Sequence, residues 1–222
     1  MNYLAHLYLA DASPASLIGN LLPDLHRGRL PADLDPVVLE GVMRHRRVDA
    51  FTDSHPLFER SRARLRPRHG RYSGVLVDVI YDHVLSVHWA EYHPQPLSEF
   101  IADAYRQMLA EADLMPPRMR AIMTMMAGED WLSTYGSVEG IAHTLNRLSA
   151  RLRERFGREV DLASALTELR AQYDGFAEDF AGFFPDLMVY VGVDHRPPNT
   201  PPEAPSKAPT ELPPPGVDAD DR

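Results

Sequence analysis

The chain has 222 residues, a net charge of -9 and no cysteine. The length suits one substantial core, and the missing thiols exclude disulfides, thiolate zinc sites and cysteine nucleophiles. The acidic balance argues against general nucleic-acid binding, which needs a basic footprint.

The opening Asn2-Tyr3-Leu4-Ala5-His6-Leu7-Tyr8-Leu9-Ala10 is apolar around one histidine and predicts a buried helical turn or two. It has no basic region ahead of a long apolar run, so no signal peptide is expected, and no later stretch is long enough to span a bilayer. Ser13-Pro14 predicts an N-cap and first-turn proline for a helix over 15–22, with Pro23-Asp24 ending it. Asp35-Pro36 opens the next helix in the same way, and His45 and Asp49 continue its apolar stripe. Thr52-Asp53-Ser54 with Pro56 predicts a turn, followed by a helix over 57–66 and a break over 67–70. A central helix is expected over 72–91, and His93-Pro94-Gln95-Pro96 reads as a linker. Amphipathic helices follow over 98–114, from Pro116-Pro117, and from Ser137-Val138. A last helix spans 162–189, with a bend expected at 182–185.

Nothing alternates in the manner of a half-buried strand, so the fold class is all-α, about seven or eight helices in one compact bundle-like domain. That domain is expected over 1–195. Nine of the residues from Pro197 to Pro215 are proline and almost none is apolar, so 196–222 reads as a disordered or polyproline-like tail.

The chemistry is expected in Val75-Leu76-Val77-Asp78-Val79-Ile80-Tyr81-Asp82-His83-Val84-Leu85, which is apolar on every side. Asp78 and Asp82 stand four apart and share one helical face. Buried side by side and unpaired, they would cost several kcal/mol or take up protons, a difficulty that a metal ion or cationic partner removes. His83 lies about 140° round the helix from Asp78, against about 40° for Asp82, so it points to the edge of such a site or into the core. His45, Asp49 and Asp53 form a second column at four-residue spacing. Imidazole with carboxylates and no thiol suits a hard or borderline divalent ion, whereas Asp53 also reads as a helix cap. His6 and Asp24 are each weak alone. No Ser-His-Asp elbow, phosphate-binding glycine loop or dinucleotide fingerprint competes with this set. Arg60, Arg62, Arg64, Arg66, Arg68 and Arg71 make a local basic patch that suits an acidic partner, or else a solvated charged face.

The segments Asn2-Tyr3-Leu4-Ala5-His6-Leu7, Gly19-Asn20-Leu21-Leu22-Pro23-Asp24, His45-Arg46-Arg47-Val48-Asp49 with Thr52-Asp53, and Asp78-Val79-Ile80-Tyr81-Asp82-His83 resemble the acyl carrier protein phosphodiesterase family. Asp130-Trp131-Leu132 and Leu145-Asn146-Arg147-Leu148-Ser149 extend the likeness, which spans about residues 1–190. The resemblance implies a divergent relative of the HD-type phosphohydrolases, dependent on manganese (with Mg²⁺ or Fe²⁺ as alternatives), that removes 4′-phosphopantetheine from holo-acyl carrier protein; the absence of cysteine is consistent with a cytoplasmic home. The chain has no His-Asp dipeptide, the order here being Asp82-His83, so HD ligands do not carry over by pattern.

On this reading Asp24, His45, Asp49, Asp78 and Asp82 are the pool of metal ligands. His6 or His83 serves proton transfer, Asp24 is counted among the catalytic residues as well as the ligands, and Arg46 or Arg47 holds the phosphate. Arg60, Arg62, Arg64 and Arg66 dock the acidic carrier protein. A phosphohydrolase acting on a nucleotide or other small phosphate ester, and a non-enzymatic helical interaction protein, are the alternatives.

Overall fold

A computed structural model describes residues 1–157, 159–193 and 195. The Pro-rich segment expected from residue 196 lies outside the described residues. The fold is all-α, with no strand among the described residues.

Local signals explain several of the helix starts. Ser13 accepts from the Ser16 N–H and Pro14 occupies the first turn of α2 (Pro14–Leu25). Asp35 accepts from the Val37 and Val38 N–H groups at the head of α3 (Pro36–Ser54). Both follow the expected pattern. The expected end of α2 at residues 23–24 does not. The helix runs through Pro23 to Leu25, because near a C-terminus the missing N–H removes only one ladder bond, so Asp24 sits on the last turn. The turn after α3 is also tighter than expected. His55 alone separates α3 from α4 (Pro56–His69), and its ring accepts from the Leu57 N–H, so Asp53 lies inside α3 and caps nothing.

The apolar central stretch is helix α5 (Ser73–Val87), which stops at His88 before the single turn of α6 (Trp89–Tyr92). After α7 (Leu97–Ala110) and α8 (Pro117–Gly128), Ser137 caps α9 (Val138–Phe156) through the Gly140 N–H. The last helix, α10 (Leu166–Val191), passes through Pro185 and breaks helical geometry at Gln172, not at 182–185.

Helix α5 is buried on most of its circumference and packs against α4, α9 and α10 and against the opening helix α1 (Tyr3–Tyr8). Aromatic rings of Phe58, Tyr81, Phe180 and Phe183 fill one side of it. Helices α2 and α3 cross at Gly19 and Gly41. A Cβ on Gly19 would stand 2.2 Å from the Val38 carbonyl oxygen, and one on Gly41 would stand 2.8 Å from that of Ser16. This contact leaves no room for a side chain, and it sets the α2 residues Asn20 and Asp24 beside the α3 residues His45 and Asp49.

Most of the basic patch is engaged in the fold. Arg60 and Arg64 both reach the fully buried Asp179 of α10, which also accepts 2.7 Å from Ser61 Oγ. Arg62 and Arg66 pair with the half-exposed Glu59 on their own helix.

Candidate metal centre and its cavity

Three side chains from two helices meet at one point. His6 of α1, His45 of α3 and Asp49, one turn beyond His45, each offer a ligand atom, all within 4.8 Å of one another. The imidazoles stack with centroids 4.0 Å apart. His45 Nε2 lies 3.0 Å from Asp49 Oδ2, and His6 Nε2 lies 3.3 Å from Asp49 Oδ1.

What surrounds these atoms fits a cation. His45 Nδ1 is 2.8 Å from the Asn20 carbonyl oxygen, which makes Nδ1 the donor and directs Nε2 at Asp49. His6 is fully buried, and neither ring nitrogen has a hydrogen-bond partner among the described residues, Asp49 Oδ1 standing 3.3 Å from Nε2. Burial lowers His6 to about 3 and keeps it neutral. A neutral buried imidazole with orphaned nitrogens, facing a carboxylate and a second imidazole, is a donor set for a divalent ion. Burial works to lower His45, but Asp49 and Asp24 outweigh it and raise the ring above its usual value. Burial likewise opposes ionisation of Asp49, yet His45 and His6 hold it well below the usual carboxylate range.

Two further aspartates from the expected pool border this group. Asp24 Oδ1 is 3.9 Å from His45 Nε2. Asp78 Oδ1 is 3.1 Å from the Met1 amino nitrogen, which is also 3.2 Å from Asp49 Oδ1. Burial raises Asp24 to about 6 and moves Asp78 upward as well. Both line a cavity of about 270 Å³ with Tyr3, Trp131, Tyr135, Thr144, Arg147 and Arg151.

The remaining predicted residues are elsewhere. Asp82 is fully buried, and its two oxygens accept from the Leu4 and Ala5 N–H groups at 2.8 and 3.0 Å, the second and third positions of α1. It caps α1 from outside, because the side chain of the N-cap residue Asn2 is committed to the Tyr135 hydroxyl. Burial raises Asp82 to about 7 against the pull of those two donors. His83 points away into the core, with Nδ1 2.6 Å from the Tyr135 carbonyl oxygen. Arg46 and Arg47 are exposed on α3 and do not line the cavity. The arginines that do line it, Arg147 and Arg151, were not singled out from sequence, although their spacing of four on amphipathic α9 was the available signal.

A family model described as "Acyl carrier protein phosphodiesterase" matches residues 1–187. Among curated proteins, the chain is 35% identical over 189 residues to the acyl carrier protein phosphodiesterase of Serratia proteamaculans, covering 85% of this chain and 96% of that one. The proteins of the same name from Klebsiella pneumoniae and Salmonella dublin match over the same shares at 35% and 36% identity. No solved structure matches. The chain belongs to the acyl carrier protein phosphodiesterase family.

Proposed function

We propose that this family member hydrolyses the phosphodiester between a serine oxygen of holo-acyl carrier protein and 4′-phosphopantetheine, releasing apo-carrier protein and the free prosthetic group. The observation that carries the reading is the convergence of His6, His45 and Asp49 beside a cavity lined by Asp24 and Asp78. His6, His45 and Asp49 would hold a divalent ion, with Asp24 and Asp78 as the nearest further carboxylates. When bound, such an ion lowers the pKa of water and neutralises phosphoryl charge. Manganese is the first ion to test, with Mg²⁺ and Fe²⁺ after it.

The chain's own residues supply the rest. Asn20 fixes the His45 tautomer through its carbonyl oxygen, and Asp82 keeps α1, and so His6, in place. Asp24 opens onto the cavity and burial raises its carboxyl to about 6, so it is the residue placed to give a proton to the departing serine oxygen. That role suits it better than it suits His6, which burial holds neutral, or His83, which faces the core. The acidic carrier protein approaches from outside. Of the four arginines expected to dock it, Arg62 and Arg66 pair among the described residues with the half-exposed Glu59 of their own helix, and are the two better placed to re-pair. No helix among the described residues is long and apolar enough to cross a membrane.

The test is incubation of holo-acyl carrier protein with the purified chain and Mn²⁺, followed by mass spectrometry and metal analysis. Loss of the 4′-phosphopantetheine mass, with His45→Ala and Asp49→Ala both metal-poor and inactive, supports the reading. Cleavage of free nucleotides with holo-carrier protein left intact would move the assignment to a small phosphate ester. A wild-type protein that retains no metal and cleaves neither substrate would overturn it.

A further inference from the structure

We infer that Arg147 and Arg151 form an anion subsite, which holds the phosphoryl group of the ester on the cavity wall facing Asp24 and Asp78. The inference deepens the proposed function and rests on it for the identity of the ester, but the subsite itself stands on separate geometry.

The two arginines are one turn apart on α9 and line the same cavity as Asp24 and Asp78. Arg147 is positioned by a built platform. Its guanidinium carbon lies 3.1 Å from the centroid of the Trp131 ring, and the Trp131 indole N–H donates 2.7 Å to Glu129. The same Glu129 stands 3.6 Å from Arg147 Nη1, a distance that orients the guanidinium without satisfying it. A guanidinium held over the face of an indole keeps N–H groups free for bonds to phosphoryl oxygens. Arg151 approaches the Tyr3 hydroxyl at 3.4 Å and has no ion pair among the described residues. The Trp131 platform is itself held by the turn after α8, where Asp130 takes a φ of 47° and the Trp131 N–H reaches the Met126 carbonyl oxygen.

Charge places the anion. One wall of the cavity carries Asp24 and Asp78, the latter paired with the Met1 amino group, whereas the α9 wall carries two cations with no carboxylate at hydrogen-bond distance among the described residues and attracts the anion. Burial depresses the Arg147 guanidinium below its usual value despite Glu129, as expected for a desolvated cation that gains by receiving an anion. Arg46 and Arg47, the residues first expected to hold phosphate, lie outside this cavity.

The experiment uses the full chain, stripped of metal by chelator, with inorganic phosphate and 4′-phosphopantetheine as probes. Binding is followed by titration calorimetry and by Trp131 fluorescence. Wild type is expected to bind both with a fluorescence change, and Arg147→Gln or Arg151→Gln should each weaken binding about tenfold or more. Arg151→Lys should restore part of the loss, and Arg46→Gln with Arg47→Gln should change nothing. Circular dichroism checks that each variant is folded. Wild-type affinity in the α9 variants, or absence of wild-type binding in the millimolar range, would overturn the subsite. Assays on holo-acyl carrier protein separate the two ideas. If wild type and the α9 variants cleave it with equal KM, the proposed function stands and the subsite fails. If wild type leaves it intact while phosphate binding still depends on Arg147 and Arg151, the subsite stands and the substrate assignment fails.

Discussion

Replacing Asp82 by alanine distinguishes a helix cap from a metal ligand. The carboxylate is fully buried and accepts from Leu4 and Ala5 at 2.8 and 3.0 Å. Truncation leaves two buried N–H groups without an acceptor, at about 1–3 kcal/mol each. Part of that is offset, because burial raises the carboxyl to about 7 and its removal ends a desolvation cost. A net loss of about 2–4 kcal/mol is expected, equivalent to a fall of about 4–16 °C in Tm for a domain of this size. The assay is thermal unfolding of chelator-treated wild type and Asp82→Ala, with hydrogen exchange at the Leu4 and Ala5 amides. Those amides should exchange much faster in the variant, and metal affinity should fall because His6 rides on the same short helix. Asp82→Asn, which keeps one acceptor, should fall between the two. Equal Tm in the metal-free proteins, with both amides still protected, would refute the capping argument and leave Asp82 to the ligand pool.

Two further outcomes follow from the charges. Burial holds His6 at about 3 in the fold, so between that value and its usual 6.5 the unfolded chain binds a proton that the native state does not. Its contribution to stability therefore declines as pH falls through that window, by up to about 2 kcal/mol from pH 6.5 to 5. Asp24 and Asp82, raised to about 6 and about 7, act in the opposite sense, so the measurement is the difference between metal-free wild type and His6→Phe in urea unfolding at pH 7.5 and 5. Identical pH slopes in the two proteins would reject it. The basic patch should divide into two kinds of arginine. Arg64→Ala removes one of the two arginines on buried Asp179 and should cost about 1.5–3 kcal/mol of stability, whereas Arg62→Glu with Arg66→Glu should leave Tm nearly unchanged. The double variant should instead lower kcat/KM for holo-acyl carrier protein at low salt, while hydrolysis of a small phosphodiester stays level. Equal loss on both substrates would show that these arginines serve the fold or the site.

The helical class, several helix starts and the burial of residues 75–85 were legible in the sequence, because caps, first-turn prolines and apolar periodicity act over a few residues. Ser13-Pro14, Asp35-Pro36 and Ser137 each perform the capping that their local chemistry predicts. The column of His45 and Asp49 was legible for the same reason, since a spacing of four fixes which side chains share a helical face. Spacing says nothing about what stands opposite. Asp78 and Asp82 share a face of α5, yet only tertiary packing decides that Asp82 meets the backbone of α1 while Asp78 reaches the cavity. His6, unremarkable among leucines, joins the candidate donor set because α1 packs it against His45, which the Gly19–Gly41 crossing holds beside Asp24. The arginines show the same division. A run of them along α4 is conspicuous in the sequence, but a single buried carboxylate 115 residues away claims Arg64. Arg147, in an ordinary amphipathic helix, gains its position from an indole that a turn in another part of the chain delivers. Local rules determine which atoms share a face, and long-range contacts determine which of those faces meet water, an ion or another helix.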